Sequence, residues 1–275
     1  PSSIATFDLS ILDSLNALGI PVTGVPQSLY EGHLAKFAQT TVVGTLFEPN
    51  YEVLENLEPE LIFAGGRSQQ AIPQLQELAP VAVLTSRSTH FLDDFRQNNL
   101  NLATAFDKRE EAQKALKEID ANLAQLHPVT ANKTGAFLFV VRNNVIAHAP
   151  GDRFGYAYEL TGLESVLPAK DPNTPTAPRP EPGSPEAKAA EAARADTITQ
   201  ITQAEPDWLI VLDRGAINGA EKTAATTLAQ HPEISQTEAF KAGRVYYADP
   251  NGWYVIGGGL DNVNNITVDL LQAMQ

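Results

Sequence analysis

Two ten-residue phrases of the same plan occur in this chain, and each ends in arginine. Glu58-Pro59-Glu60-Leu61-Ile62-Phe63-Ala64-Gly65-Gly66-Arg67 is answered by Glu205-Pro206-Asp207-Trp208-Leu209-Ile210-Val211-Leu212-Asp213-Arg214. In both, proline keeps the residue before it out of the right-handed helical region, so a preceding helix ends there. The apolar run that follows does not alternate, which predicts a strand buried on both faces of a parallel sheet. The arginine stands where that strand ends, and open α/β sheets gather ligands at the carboxyl ends of their strands. Two related α/β units, each offering such an arginine, predict a cleft that grips an anion from both sides.

A chain of 275 residues has room for two lobes, and 43% hydrophobic residues lets each bury a core. The absence of cysteine excludes disulfides, thiolate metal sites and cysteine nucleophiles. A formal net charge of −14 repels nucleic acid and anionic membranes, so neither is expected as a partner. Against that background, arginines at strand ends are more informative. Pro1 opens almost directly onto the strand-like Ile4–Phe7. That places the start inside a mature domain, with any signal segment or lipid anchor expected upstream.

Strands and helices alternate along the chain. Strands are predicted at Ile4–Phe7, Pro21–Val25, Val42–Val43, Leu61–Ala64 and Val81–Leu84, with helices at Leu9–Leu18, Tyr51–Leu57 and Ile72–Leu78. The longest helical stripe runs from Lys108 to Leu126. A second α/β unit follows, with strands at Phe137–Val141, Val145–Ala147, Leu209–Leu212 and Val245–Ala248 and a last helix at Leu260–Met274. The expected organisation is an N-terminal lobe over 1–106, a linking helix over 107–127 and a C-terminal lobe over 128–275. Each lobe is a mainly parallel sheet flanked by helices.

One stretch breaks the rhythm. Residues 168–185 hold seven prolines, which exclude a helix or interior strand and predict an extended, partly polyproline II insertion. Ser184 with Pro185 then starts an alanine-rich helix through Thr202. The insertion reads either as a solvated loop or as a flap over the cleft.

Phe7-Asp8-Leu9-Ser10-Ile11-Leu12-Asp13-Ser14-Leu15-Asn16-Ala17-Leu18-Gly19 resembles the opening of class III periplasmic substrate-binding proteins of iron-siderophore ABC importers. Tyr51–Ile62 resembles that family's signature before its first ligand loop. Gly66-Arg67-Ser68, Gly151-Asp152-Arg153-Phe154-Gly155, Asp213-Arg214 and Asp249-Pro250-Asn251-Gly252-Trp253-Tyr254 match the ferric catecholate receptors in order and approximate spacing. The likeness covers nearly the whole chain apart from the insertion. It implies a two-lobed α/β fold with one long backbone helix, a ferric siderophore as ligand, no intrinsic cofactor and a monomer working in the periplasm or anchored outside the cytoplasmic membrane. It also implies an inner-membrane ABC permease as partner, met by acidic residues, for which Glu52 and Glu55 are the first-lobe candidates. Both also read as ordinary solvated helix carboxylates.

Arg67, Arg153 and Arg214 offer guanidinium forks to chelate oxygens and flat faces to catechol rings. The alternative for each is a structural ion pair, and Asp152 and Asp213 are adjacent in sequence to two of them. Tyr254 supplies a hard phenolate oxygen suited to ferric iron, its ionisation favoured by nearby arginines; otherwise it is a packed aromatic. Trp253 is expected as a wall of the site. Gly257-Gly258-Gly259 lacks dinucleotide spacing and is expected to let backbone approach the cleft.

The chain departs from the resemblance at one point. Receptors for tetradentate siderophores place a histidine between the second and third arginines, whereas no histidine occurs from Ala149 to Gln230. Either Tyr254 ligates iron alone or with an oxygen such as that of Asp171, or the siderophore is hexadentate. His33, His90, His127, His148 and His231 show no metal-ligand spacing, and only His90 is a candidate near the cleft. Two alternatives stay open: the same fold carrying haem or a corrinoid, and an enzyme acting on an anionic substrate. No P-loop, nucleophile elbow, zinc motif or Cys/His pair supports the enzyme.

Overall fold

A computed structural model describes residues 1–275. Five short strands, β1 (Ile4–Thr6), β2 (Gly24–Val25), β3 (Thr41–Val42), β4 (Leu61–Phe63) and β5 (Val81–Ala82), pair in parallel in the order β3-β2-β1-β4-β5. A second sheet contains β6 (Thr134–Val141), β7 (Asn144–His148), β8 (Glu164–Ser165), β9 (Trp208–Asp213) and β10 (Val245–Tyr247). Its order is β10-β9-β6-β7, with β8 alongside the start of β6. Only the β6–β7 hairpin is antiparallel. Both sheets are therefore mainly parallel and carry helices, as the alternating pattern predicts.

The two copies of the repeated phrase become β4 and β9. Glu58 and Glu205 close the helices Tyr51–Leu57 and Pro185–Ala204 in left-handed conformation, with φ of 52° and 48°. Proline thus ends both helices, by a left-handed cap where an extended residue is the usual outcome. Leu209 to Leu212 are each 1% exposed or less, the two-sided burial expected of a parallel strand with an unbroken apolar run. Ile62 and Phe63 in β4 are 0% and 2% exposed.

The chain divides into two units. One comprises Pro1–Arg87, Leu92–Asn122 and Asn251–Val268; the other comprises Ser88–Phe91, Leu123–Pro250 and Asp269–Gln275. Residues 251–268, expected within the C-terminal lobe, are grouped with the first unit. The reason lies in two buried polar side chains of the helix Leu9–Ala17. Asp13, fully buried, accepts from the Asn262 N–H at 2.9 Å, and Ser14 Oγ accepts from the Leu260 N–H at 3.1 Å. They satisfy donors at the start of the last helix, Leu260–Met274, which would otherwise be orphaned.

The long helix spans Arg109–Thr130 and contributes residues to both units. It outruns its expected end at Leu126 and carries Pro128 in its last turn. Tertiary bonds hold that turn: Thr130 Oγ1 donates to Thr161 O at 2.7 Å, and His127 Nε2 lies 3.0 Å from Leu160 O. No helix is long and apolar enough to cross a membrane.

Candidate functional site

In the first unit, β4 runs through Gly65 into a tight 3-10 turn, Gly66–Ala71, that presents Arg67. Ser68 pins the turn by accepting from the Gly65 N–H at 3.0 Å. The Arg67 guanidinium donates to Tyr254 O at 2.7 Å and to Val255 O at 3.1 Å, and lies 5.3 Å from the Tyr254 ring centroid. Both acceptors are neutral carbonyls, so these bonds fix the guanidinium without cancelling its charge. Residues far apart in sequence are thereby joined: one repeated arginine and the expected tyrosine share one place in one unit.

The carbonyls are available because Asn251–Ile256 forms a widened helical turn. Its closing bond runs from the Gly257 N–H to Gly252 O at 2.9 Å, five residues back. Such π-type turns are rare and recur at functional sites. Tyr254 is partly exposed on this turn, whereas Trp253 is 1% exposed. Trp253 is thus buried within this turn. After the turn, Gly259 takes φ of 89°, and a Cβ there would lie 2.3 Å from Asp13 Oδ2. The glycine run does permit a close backbone approach, but its neighbour is the helix Leu9–Ala17.

Nearby charge is shaped by the same groups. Asp8 caps that helix, accepting from the Ser10 and Ile11 N–H groups. Burial pushes its carboxyl up, opposed by the Ser10 hydroxyl, these N–H groups and the charge of Arg67. His33 bonds the buried Asp13 carboxylate, which raises its pKa against the opposing effect of burial; the charges of Asp13 and Asp261 add to the rise.

In the second unit, Arg153 stands on the turn after β7. Gly151 has φ of 93°, and a Cβ there would meet Lys170 O at 2.0 Å, so only glycine fits. The Lys170 N–H donates to Pro150 O at 2.7 Å, so the start of the proline-rich insertion seats this turn. Asp152 accepts from the Ala149 and Phe154 N–H groups, and His148 and Lys170 approach its carboxylate. Burial raises the Asp152 pKa, but His148 and the two N–H groups outweigh it and hold the carboxyl below its usual range. Asp152 therefore builds the turn. Arg153 is exposed and lies 5.0 Å from the Phe154 ring centroid, over a ring that stacks on Phe137 and Phe139.

Arg214 opens the turn after β9. Its neighbour Asp213 accepts from the Gly215, Thr223 and Ala224 N–H groups at 3.1, 2.8 and 2.9 Å. That carboxylate, like Asp152, serves backbone donors. Arg214 lines a cavity of about 740 Å³, whose walls also include Arg142, Arg179 and Arg194. Arg153 is not among its lining residues. Sequence reading missed these three further arginines. Their signal was weak, because they sit on a hairpin tip, a proline-rich loop and an alanine-rich helix.

Glu52 and Glu55 are exposed on Tyr51–Leu57, one helical turn apart. Asp171 is exposed and accepts from the Asn173 N–H at 2.9 Å. His90 is exposed beside the Thr89 hydroxyl.

The chain matches the family described as periplasmic binding protein over residues 4–251. It is 26% identical to the petrobactin-binding protein YclQ of Bacillus subtilis, over all of this chain and 83% of that protein. The structure of YclQ superposes with a TM-score of 0.83, covering 100% of this chain and 92% of that one at 23% identity. The ferric-anguibactin-binding protein FatB of Vibrio anguillarum is 25% identical over the same shares, 100% and 83%. A TroA-like periplasmic binding protein from Xylanimonas cellulosilytica gives a TM-score of 0.80 at 27% identity, covering 98% and 88%. With two mainly parallel α/β units, a long helix between their sequences and a family match across most of its length, this chain belongs to the periplasmic binding protein family.

Proposed function

We propose that this chain captures a ferric siderophore of the catecholate type and delivers it to an ABC permease, without catalysing a reaction. The observation that carries this reading is Arg67 fixed by two carbonyls beside the Tyr254 ring. A held guanidinium next to a phenol pairs an anion contact with a hard oxygen donor, the combination an anionic ferric complex needs. Arg153 and Arg214 are proposed as further anion contacts, one backed by an aromatic ring and the other opening a cavity. Relatives named for petrobactin and ferric anguibactin support the ligand class.

The ligand brings its own iron, and no intrinsic cofactor is needed. Tyr254 is the proposed protein ligand to that iron when the siderophore leaves coordination positions open. Trp253 contributes as the buried wall behind it. The protein works as a monomer outside the cytoplasmic membrane, with Glu52 and Glu55 among its permease contacts. Native mass spectrometry with a panel of ferric tetradentate and hexadentate catecholates tests the reading. One-to-one complexes with ferric catecholates are expected; binding of haem or a corrinoid with no ferric catecholate complex would overturn it.

A further inference from the structure

Four of the chain's ten arginines line a large cavity of the second unit, although the protein carries a net charge of −14. Arg142 sits at the tip of the β6–β7 hairpin with φ of 50°, Arg179 in the proline-rich insertion, Arg194 on the helix Pro185–Ala204 and Arg214 after β9. No carboxylate lines the cavity. Arg142, Arg179 and Arg194 are exposed, and their side chains form no ion pair. Like charges gathered this way repel one another, and an anionic ligand would relieve that repulsion.

The rest of the wall narrows the chemistry. Pro180, Pro182, Ala187 and Ala190 are small and aliphatic, and no aromatic side chain faces the space. A catechol ring would find no stacking partner other than arginine there. Carboxylates on an aliphatic scaffold fit better, because guanidinium forks meet them bidentately. We propose that this cavity is a second recognition site for pendant carboxylates of the siderophore, and that the proline-rich insertion supplies part of it through Arg179. The inference rests on the proposed siderophore function and deepens it: the chelate would carry free carboxylates beyond its iron-binding groups. The insertion then acts as a specificity element.

The test compares two ferric tris-catecholates on one scaffold, one with free pendant carboxylates and one with those carboxylates converted to methyl amides. Affinities are measured by calorimetry for the wild type and for the triple variant Arg142→Gln, Arg179→Gln, Arg194→Gln. These exposed positions lie outside the proposed iron site, and an unchanged melting temperature verifies the fold of the variant. Wild type should prefer the carboxylate form by about 10-fold or more, the triple variant should lose that preference, and added salt should weaken it. Equal affinities for both chelates in the wild type, or a preference that survives the triple substitution, would overturn the inference while leaving the siderophore function intact. Wild type that binds neither chelate would instead overturn the siderophore function on which the inference rests.

Discussion

Replacing Asp13 with alanine should loosen the segment that carries Tyr254. Asp13 is fully buried and accepts from the Asn262 N–H at 2.9 Å, while its other oxygen meets His33. Losing a charged acceptor and orphaning a buried N–H costs about 1.5–3 kcal/mol. The His33 side chain is 34% exposed, so its share is discounted to about 0.2–1 kcal/mol. The expected total is about 2–4 kcal/mol, read from urea unfolding followed by Trp fluorescence. Asp13→Asn keeps an oxygen for Asn262 and should lose less.

The pH dependence gives a second handle. His33 holds its proton more tightly in the folded protein than in the unfolded chain. Its contribution is therefore complete below the unfolded value of about 6.5 and fades as pH rises through the higher folded value. The stability gap between wild type and Asp13→Asn should shrink from pH 5.5 to pH 9. A gap that widens over that range, or an Asp13→Ala protein as stable as wild type, would refute the reasoning.

Three further outcomes are expected. Tyr254→Phe should weaken binding of tetradentate ferric catecholates and barely change that of hexadentate ones, measured by titration; equal losses would contradict iron ligation by the phenolate. Gly151→Ala should destabilise the Arg153 turn by about 1–3 kcal/mol, because the backbone is left-handed there and Lys170 O blocks the methyl group. Melting curves together with siderophore affinity would register it. Glu52→Lys with Glu55→Lys should leave ligand affinity unchanged and slow uptake through a reconstituted permease; undiminished uptake would remove these residues from the docking surface.

Much of the fold was legible because apolar periodicity and proline dominate local structure. The strands at both repeated phrases and the helices Tyr51–Leu57 and Leu260–Met274 lie where the pattern places them. The helix Phe91–Ala105 was missed because the buried Asn99 interrupts its apolar stripe. Asn99 is accommodated by Ser14 Oγ and Phe95 O, partners that sequence reading could not supply. β8 was missed because two polar residues, Glu164 and Ser165, carry no strand signal.

At the candidate site, residue types were readable but their allegiance was not. Tyr254 was assigned to the second lobe by order along the chain, whereas the bonds from Asp13 and Ser14 bring its segment to the first unit. A carboxylate inside an apolar helical stripe, as Asp13 is, was the available hint. The adjacent Asp152 and Asp213 looked like ion-pair partners for the arginines, yet both serve backbone N–H groups, which local sequence does not reveal.

Calorimetric titration of a ferric tris-catecholate into wild type and into Arg67→Gln, Arg153→Gln and Arg214→Gln is the decisive measurement. Each substitution removes one charge-assisted contact and should weaken binding by about 10-fold or more, with a salt dependence that lessens as arginines are lost. Three variants that bind the ferric complex as tightly as wild type would contradict the assignment of these arginines to the siderophore.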